Sequence, residues 1–132
     1  MPGINFAAVA VAAISAFALG ALWYSPTLFS KTWQKETGQT PERLRSGNPA
    51  LVFGAAFMLS LLAAFVFAMF LGPNPSLKLG LGAGFSAGLC WVAGSFGINY
   101  LFESRSLRLF LINGGYHTLQ FTLYGLVLGL WH

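Results

Sequence analysis

The sequence is poor in charge. Of its 132 residues only 8% are charged, seven basic and three acidic. Because soluble domains carry about a quarter charged residues, this chain has too few charges to cover a water-facing surface. The composition therefore excludes a soluble enzyme, a disordered tail and a nucleic-acid-binding protein, even though the net charge is +4.

Cysteine is equally scarce. Cys90 is the single cysteine, so no disulfide can form within the chain. One histidine in a membrane span supplies one metal ligand, and Cys90 is not at a ligand spacing from His117. We therefore predict neither a metal site nor a cofactor. None of the long apolar stretches contains an acidic residue, which excludes a carboxylate proton relay within one chain.

Apolar residues, by contrast, make up 56% of the sequence. A helix needs about 20 predominantly apolar residues to cross the bilayer core, and helices are the form that pairs every backbone group there. The sequence thus predicts an all-α integral membrane protein, one domain over residues 1–132. Its four transmembrane helices are expected at about residues 4–24, 51–71, 79–101 and 107–131.

The first span could be mistaken for a signal peptide. It lacks a basic leading segment, and its apolar run exceeds the 7–15 residues or so that are typical of a signal peptide. We expect it to be retained. Asn48, Ser76 and either Ser104 or Ser106 are expected to cap the later helices, since their side chains can accept hydrogen bonds from free helix N–H groups.

The longest connection, residues 25–50, contains a candidate amphipathic helix from Pro26 to Thr37. Ser25 is its expected N-cap and Gly38 its expected stop. Leu28 and Trp33 share one face of this segment, whereas Lys31 lies towards the other. Such a helix favours the membrane interface. It can serve as a simple anchor or take part in gating or lipid sensing.

The basic residues predict the orientation. Six lie in the first and third connections and one lies in the second: Lys31, Lys35, Arg43, Arg45, Arg105 and Arg108 against Lys78. Because cytoplasmic loops are enriched in Lys and Arg, we expect both of the basic connections in the cytoplasm. Both termini then lie outside the cytoplasm. The expected location of the protein is the inner membrane of a bacterium.

The fourth span carries a polar stripe. Asn113, His117, Gln120 and Tyr124 are spaced by four, three and four residues, which places them on one face of a helix. Polar groups facing lipid are costly, so this face must meet other helices, another subunit or a wet cavity. The stripe can simply join helices by hydrogen bonds. It can also line a substrate or proton path, with His117 as the titratable group and Tyr116 beside it.

The third span repeats glycine at every fourth residue: Gly80, Gly84 and Gly88, with Trp91 and Ser95 expected to continue that face. Small residues at this spacing let helix backbones approach closely. The glycine face fits packing within one subunit and the seam of a homo-oligomer equally well.

A cytoplasmic mouth is expected where the first and third spans end. Trp23 and Tyr24 would frame it, together with Asn99 and Glu103, which lie one helical turn apart. Arg105 or Arg108 can pair with Glu103, either as a solvated ion pair at the helix end or as part of a gate.

Two blocks resemble a known family. The first is Gly20-Ala21-Leu22-Trp23-Tyr24-Ser25-Pro26 followed by Trp33, and the second is Asn113-Gly114-Gly115-Tyr116-His117 with Gln120-Phe121 and the closing Gly125–Trp131 segment. They resemble the end of the first helix and the last helix of the bacterial membrane family called domain of unknown function 1761. The resemblance implies a small integral membrane protein of four spans and supplies no substrate or reaction.

Three functional hypotheses follow. The leading one is an oligomeric transporter or channel-like protein, with a polar path on the fourth helix and an unidentified small-molecule ligand. The second is a structural or regulatory subunit that binds a larger membrane protein through the glycine face. The third is a membrane enzyme acting on a lipid or quinone with His117 as general base, and we expect an enzyme less than a non-enzyme. Membrane lipids are the expected surroundings in each case.

Overall fold

The computed structural model describes residues 3–40, 42–43 and 47–132, and all regular secondary structure in these ranges is helical. Arg45, one of the residues that predict orientation, lies outside them. The main helices are α1 (Phe6–Trp23), α2 (Ser30–Thr37), α3 (Pro49–Leu71), α4 (Leu77–Glu103) and α5 (Leu107–Leu130). Each long helix starts and ends within about two residues of its expected position.

Side-chain caps begin the three later long helices. Asn48, Ser76 and Ser106 each accept a hydrogen bond from the backbone N–H three residues further on, at 3.0–3.1 Å. These bonds confirm the predicted caps and select Ser106 over Ser104. Ser104 instead ends α4, with a left-handed φ of 57°.

The short helix α2 begins later than predicted. We expected Pro26 to Thr37 with Ser25 as N-cap, but the helix covers Ser30–Thr37. The Ser25 hydroxyl donates back to the Leu22 carbonyl of α1 at 2.6 Å, and a turn separates Ser25 from α2, whose N-cap position is occupied by Phe29. The helix ends at Gly38, whose φ of 75° is left-handed, as expected of a glycine stop.

The four long helices alternate in direction and thereby define two ends of the molecule. At the terminal end, residues near both chain termini meet the turn between α3 and α4: Gly3, Gly72, Pro75 and His132 line a common surface there. At the loop end lie α2 and the turn between α4 and α5. Helix α5 is central, since it packs against α1, α2, α3 and α4, while α3 packs mainly on α1.

Three of the helices are long and apolar enough to cross a membrane: α1, α3 and α4. Their large apolar side chains point outward to an unusual degree, with Leu59 66%, Phe70 77% and Leu101 82% exposed. Such a surface is suited to lipid rather than water. Helix α5 is equally long, at 24 residues, but its polar stripe makes it less apolar.

The glycine face of α4 packs within the chain, against α5. A Cβ atom at Gly80 would collide with the backbone of Gly125, and one at Gly84 with the backbone of Phe121. A Cβ at Gly88 would lie 2.7 Å from the Thr118 Cα atom, closer than real Cβ atoms approach. The glycines are therefore used for close contact between two helices of one subunit.

A π-helical segment interrupts α4 at Ala87–Ala93. After Gly88, the next small residue that faces α5 is Ala93, which lies opposite Gly114. The spacing is five residues instead of four, so the π-helical segment adds one residue to the contact face. Trp91 is consequently turned away and is 70% exposed, and Ser95 is exposed as well. The expectation that these two residues continue the glycine face was wrong, since it assumed an uninterrupted α-helix.

Candidate functional site

The middle of α5 carries a chain of hydrogen-bonded polar side chains. The ring nitrogen Nδ1 of His117 lies 2.6 Å from Oε1 of Gln120, and Nε2 of Gln120 donates to the Tyr124 hydroxyl at 2.7 Å. The Tyr124 hydroxyl lies 2.6 Å from the Ser60 hydroxyl and donates to the Ser60 carbonyl at 3.1 Å. This chain ties α5 to α3 and leaves Gln120 and Tyr124 buried.

Ser60 accounts for the position of this chain. It is the one residue with a polar side chain in α3, and a hydroxyl group in an apolar environment needs a hydrogen-bond partner. Its neighbour Phe67, two turns further on, packs edge-on against Phe121 and also contacts Tyr124. Helix α3 therefore covers the polar face of α5 near Tyr124, towards the terminal end.

His117 itself is half-buried and held on three sides. The Phe96 ring of α4 stacks on it with centroids 5.0 Å apart and an interplanar angle of 11°. The Tyr116 ring lies edge-on at 5.0 Å, and Gln120 holds Nδ1. With Gln120 Oε1 as the acceptor, Nδ1 carries the hydrogen and Nε2 of the neutral ring is an acceptor.

A second polar group, the loop-end cluster, consists of Tyr24, Tyr100 and Asn113. The Tyr24 hydroxyl donates to Oδ1 of Asn113, and Nδ2 of Asn113 donates to the Tyr100 hydroxyl, both at 2.7 Å. Beside it, Nε1 of Trp23 donates to the Ile112 carbonyl at 2.8 Å. The cluster therefore joins α1, α4 and α5 one turn, about 6 Å, from His117 along α5.

Tyr116 fixes α5 against α1. Its hydroxyl donates to the Ala16 carbonyl at 2.8 Å, and its ring passes so close to Gly20 that a Cβ there would lie 3.1 Å from the hydroxyl oxygen. The ring also meets Tyr24 edge-on at 5.6 Å. Tyr116 thus contacts both the loop-end cluster and His117.

The predicted mouth separates into two parts. Trp23 and Tyr24 are in place at the loop end, and both bond to α5. Asn99 is exposed and forms none of the hydrogen bonds seen among the described residues. Glu103 pairs with Arg105 at 3.4 Å, with side chains 53% and 42% exposed, respectively. This geometry is that of the solvated ion pair rather than of a gate.

Sequence reasoning missed three residues of the site. Ser60 could have been found, because a lone hydroxyl in an otherwise apolar helix needs a partner. Tyr100 carries the commoner signal of an aromatic residue near the end of a span, which favours the membrane interface and does not indicate a site. Phe96 has no signal of its own in the sequence, since it reaches His117 through the extra residue of the π-helical segment. Functional sites often coincide with such segments.

The arrangement can hold hydrogen-bonding groups but offers no cluster of metal ligands. Among the described residues, no group of three or more His, Cys, Asp and Glu side chains lies close enough to hold a metal ion. The chemistry that this site offers is hydrogen bonding by neutral side chains and contact with aromatic rings.

Comparison with known proteins places the chain by family alone. No curated protein matches it, and no solved structure does either. The model of a family described as "Protein of unknown function (DUF1761)" matches residues 7–129. That range contains the first block and all of the second except its last two residues, together with the loop-end cluster and the hydrogen-bonded chain of His117. The chain therefore belongs to the DUF1761 family.

Proposed function

We propose that this protein is a four-span membrane carrier seen in a closed state, with its substrate site at His117. Helix α5 is the fourth span, lying antiparallel to both α1 and α4. The basic residues of the loop end favour the bacterial inner membrane with this end in the cytoplasm. The unequal distribution of Lys and Arg supports this orientation, with Lys78 the single basic residue near the terminal end.

The observation that carries the proposal is the position of His117 between two hydrogen-bonded closures. On the loop side, Tyr24 and Tyr100 meet at Asn113 across the polar face of α5. On the terminal side, Tyr124 bonds to Ser60 across the same face. A site closed on both sides is what alternating access requires of a carrier in its occluded state. Opening either side needs only a few neutral hydrogen bonds to break.

A homo-oligomer remains part of the proposal. Four spans enclose little private interior, so subunits sharing a face would enlarge the protected volume. Since the glycines of α4 are used within the chain, the subunit contact has to come from another surface, and α3 offers a broad one of exposed large apolar residues. Native mass spectrometry from nanodiscs tests this through the subunit number.

Cysteine accessibility tests the carrier proposal without knowledge of the substrate. In a Cys90→Ala background, His117→Cys reports on the site, and a membrane-impermeant thiosulfonate is applied to each side of proteoliposomes in turn. We expect slow labelling in the closed protein. Tyr24→Phe should accelerate labelling severalfold from the loop side, and Tyr124→Phe should do so from the terminal side.

A reporter at Leu119 provides the matched control. Leu119 is 40% exposed on the outer surface of α5, so Leu119→Cys should stay unreactive towards the same impermeant thiosulfonate, because a thiol that faces lipid does not ionise, and it should respond to neither closure variant. If both closure variants fold and neither changes the labelling of His117→Cys, the polar face is a packing surface and the carrier proposal is wrong.

A further inference from the structure

One of the two ring nitrogens of His117 has no hydrogen-bond partner among the described residues. Nδ1 is bonded to Gln120, while Nε2 forms no hydrogen bond with any described residue. No buried side-chain nitrogen or oxygen among the described residues lacks a partner, so Nε2 must lie at the accessible surface. The site thus presents one free acceptor in a fixed orientation.

Tyr100 supplies a complementary free donor. Its hydroxyl oxygen accepts from Asn113, and no described residue accepts its hydrogen. The Phe96 ring connects the two groups, since it lies 5.7 Å from the Tyr100 ring and 5.0 Å from the His117 ring. The free acceptor and the free donor therefore belong to two rings that both contact Phe96.

The surroundings of the site are uncharged. Glu103, Arg105 and Arg108 lie exposed at the loop end, and no charged residue occurs in α5 beyond Arg108 or in α4 between Lys78 and Glu103. A charged ligand at His117 would lose hydration without gaining a counter-charge, which is costly in an apolar medium. The site favours a neutral ligand.

Access to the site is lateral. The loop-end cluster closes one side and Tyr124 with Ser60 closes the other, yet His117 remains half-buried. Helix α3 reaches α5 near Tyr124, and no α3 side chain is hydrogen-bonded to His117 or stacked on its ring. With both ends of the polar face closed, entry from the bilayer side is the route that we assign to a ligand of His117.

We propose that His117 Nε2 and the Tyr100 hydroxyl bind the hydroxyl-bearing aromatic head of a neutral amphiphile that enters from the bilayer. The ligand hydroxyl donates to Nε2 and accepts from Tyr100, while its ring packs against Phe96. The identity of this substrate class rests on the proposed carrier function, and the same site would hold the ligand.

The test is binding of 4-decylphenol to the full chain in nanodiscs. A His132→Gln variant labelled with ¹⁵N-histidine isolates the His117 signals, and the phenol should shift the Nε2 resonance saturably. The methyl ether of the same phenol, which lacks the donor, should bind about tenfold more weakly, as expected for one lost hydrogen bond. The anion 4-decylbenzoate should bind more weakly still.

Two variants assign the effect to the site, and their binding of the phenol and of its ether is measured by isothermal titration calorimetry, because His117→Ala leaves no labelled histidine to observe. His117→Ala should abolish the preference for the phenol over its ether, and Tyr100→Phe should weaken phenol binding severalfold while His117 stays in place. His132→Gln without labelling serves as the matched control, because His132 lies at the terminal end and should leave the preference unchanged.

The outcome separates the two proposals. Equal binding of phenol and ether, or a preference that survives both variants, would show that the ligand class is wrong. The cysteine-labelling experiment would still test the carrier function independently, since it uses no ligand. If the labelling rate of His117→Cys is unchanged in both closure variants while the phenol binds saturably, the carrier function is wrong and the site is a binding site only.

Discussion

Helices α3 and α5 are nearly equal in length and opposite in character. Helix α3 is apolar throughout apart from Ser60, yet only four of its 23 residues are buried. Helix α5 carries Asn113, His117 and Gln120, yet nine of its 24 residues are buried. In a soluble protein the more apolar helix would occupy the centre. Here the more polar helix does.

The difference is the one expected if the long helices lie in a membrane, as we propose. Lipid tails are as apolar as leucine, so burying leucine between helices gains little, whereas close backbone contact and interhelical hydrogen bonds gain more. Helix α5 offers both, through Gly125 against α4 and through Tyr124 against α3. Helix α3 offers mainly an apolar surface, which lipid can cover as well as another helix can.

The largest effect is expected from a bulky residue placed in the contact between the α4 glycines and α5. In Gly84→Leu the added side chain would collide with the backbone of α5 at Phe121, and backbone cannot rotate away. We expect a loss of at least about 3 kcal/mol of unfolding free energy, measured by SDS titration followed by circular dichroism. Gly82→Leu is the matched control, since nothing lies within 4 Å of a Cβ there. Equal losses in the two variants would contradict the glycine contact.

A pair of leucines compares the buried and lipid-facing surfaces directly. Leu109 of α5 is 2% exposed and Leu59 of α3 is 66% exposed. Leu109→Ala should cost about 2 kcal/mol, because it leaves a cavity between helices. Leu59→Ala should stay within about 0.5 kcal/mol, because lipid fills the space. The same SDS titration measures both, and a larger loss from Leu59→Ala would indicate that α3 packs against another protein surface.

A smaller loss than that of the buried leucine is expected from the polar link between α3 and α5. Tyr124→Phe removes the hydroxyl that bonds to Ser60 and Gln120, and should cost about 1 kcal/mol, as is usual for interhelical hydrogen bonds in membranes. A double-mutant cycle with Ser60→Ala isolates the pair. A coupling energy indistinguishable from zero would show that Ser60 and Tyr124 do not stabilise one another.

Much of the fold could be predicted from the sequence. The long helices follow from runs of apolar residues, and their starts from Asn48, Ser76 and Ser106, because capping depends on residues three positions apart. The polar stripe was likewise predictable as one face of a helix. Ser25 was misjudged, because a turn begins there: the backbone N–H groups of Leu28 and Ser30 bond to the Ser25 carbonyl, which delays the start of α2 to Ser30.

The positions of the long helices and the residue types of the site follow from composition and from neighbours within a turn, so the sequence predicts them. The contacts of α4 do not follow in this way: its glycines face α5, Trp91 points away, and His117 lies between Phe96 and Gln120 with Nε2 free. Which helix meets which, and where one extra residue shifts a face through a π-helical segment, depends on contacts between residues far apart in the chain.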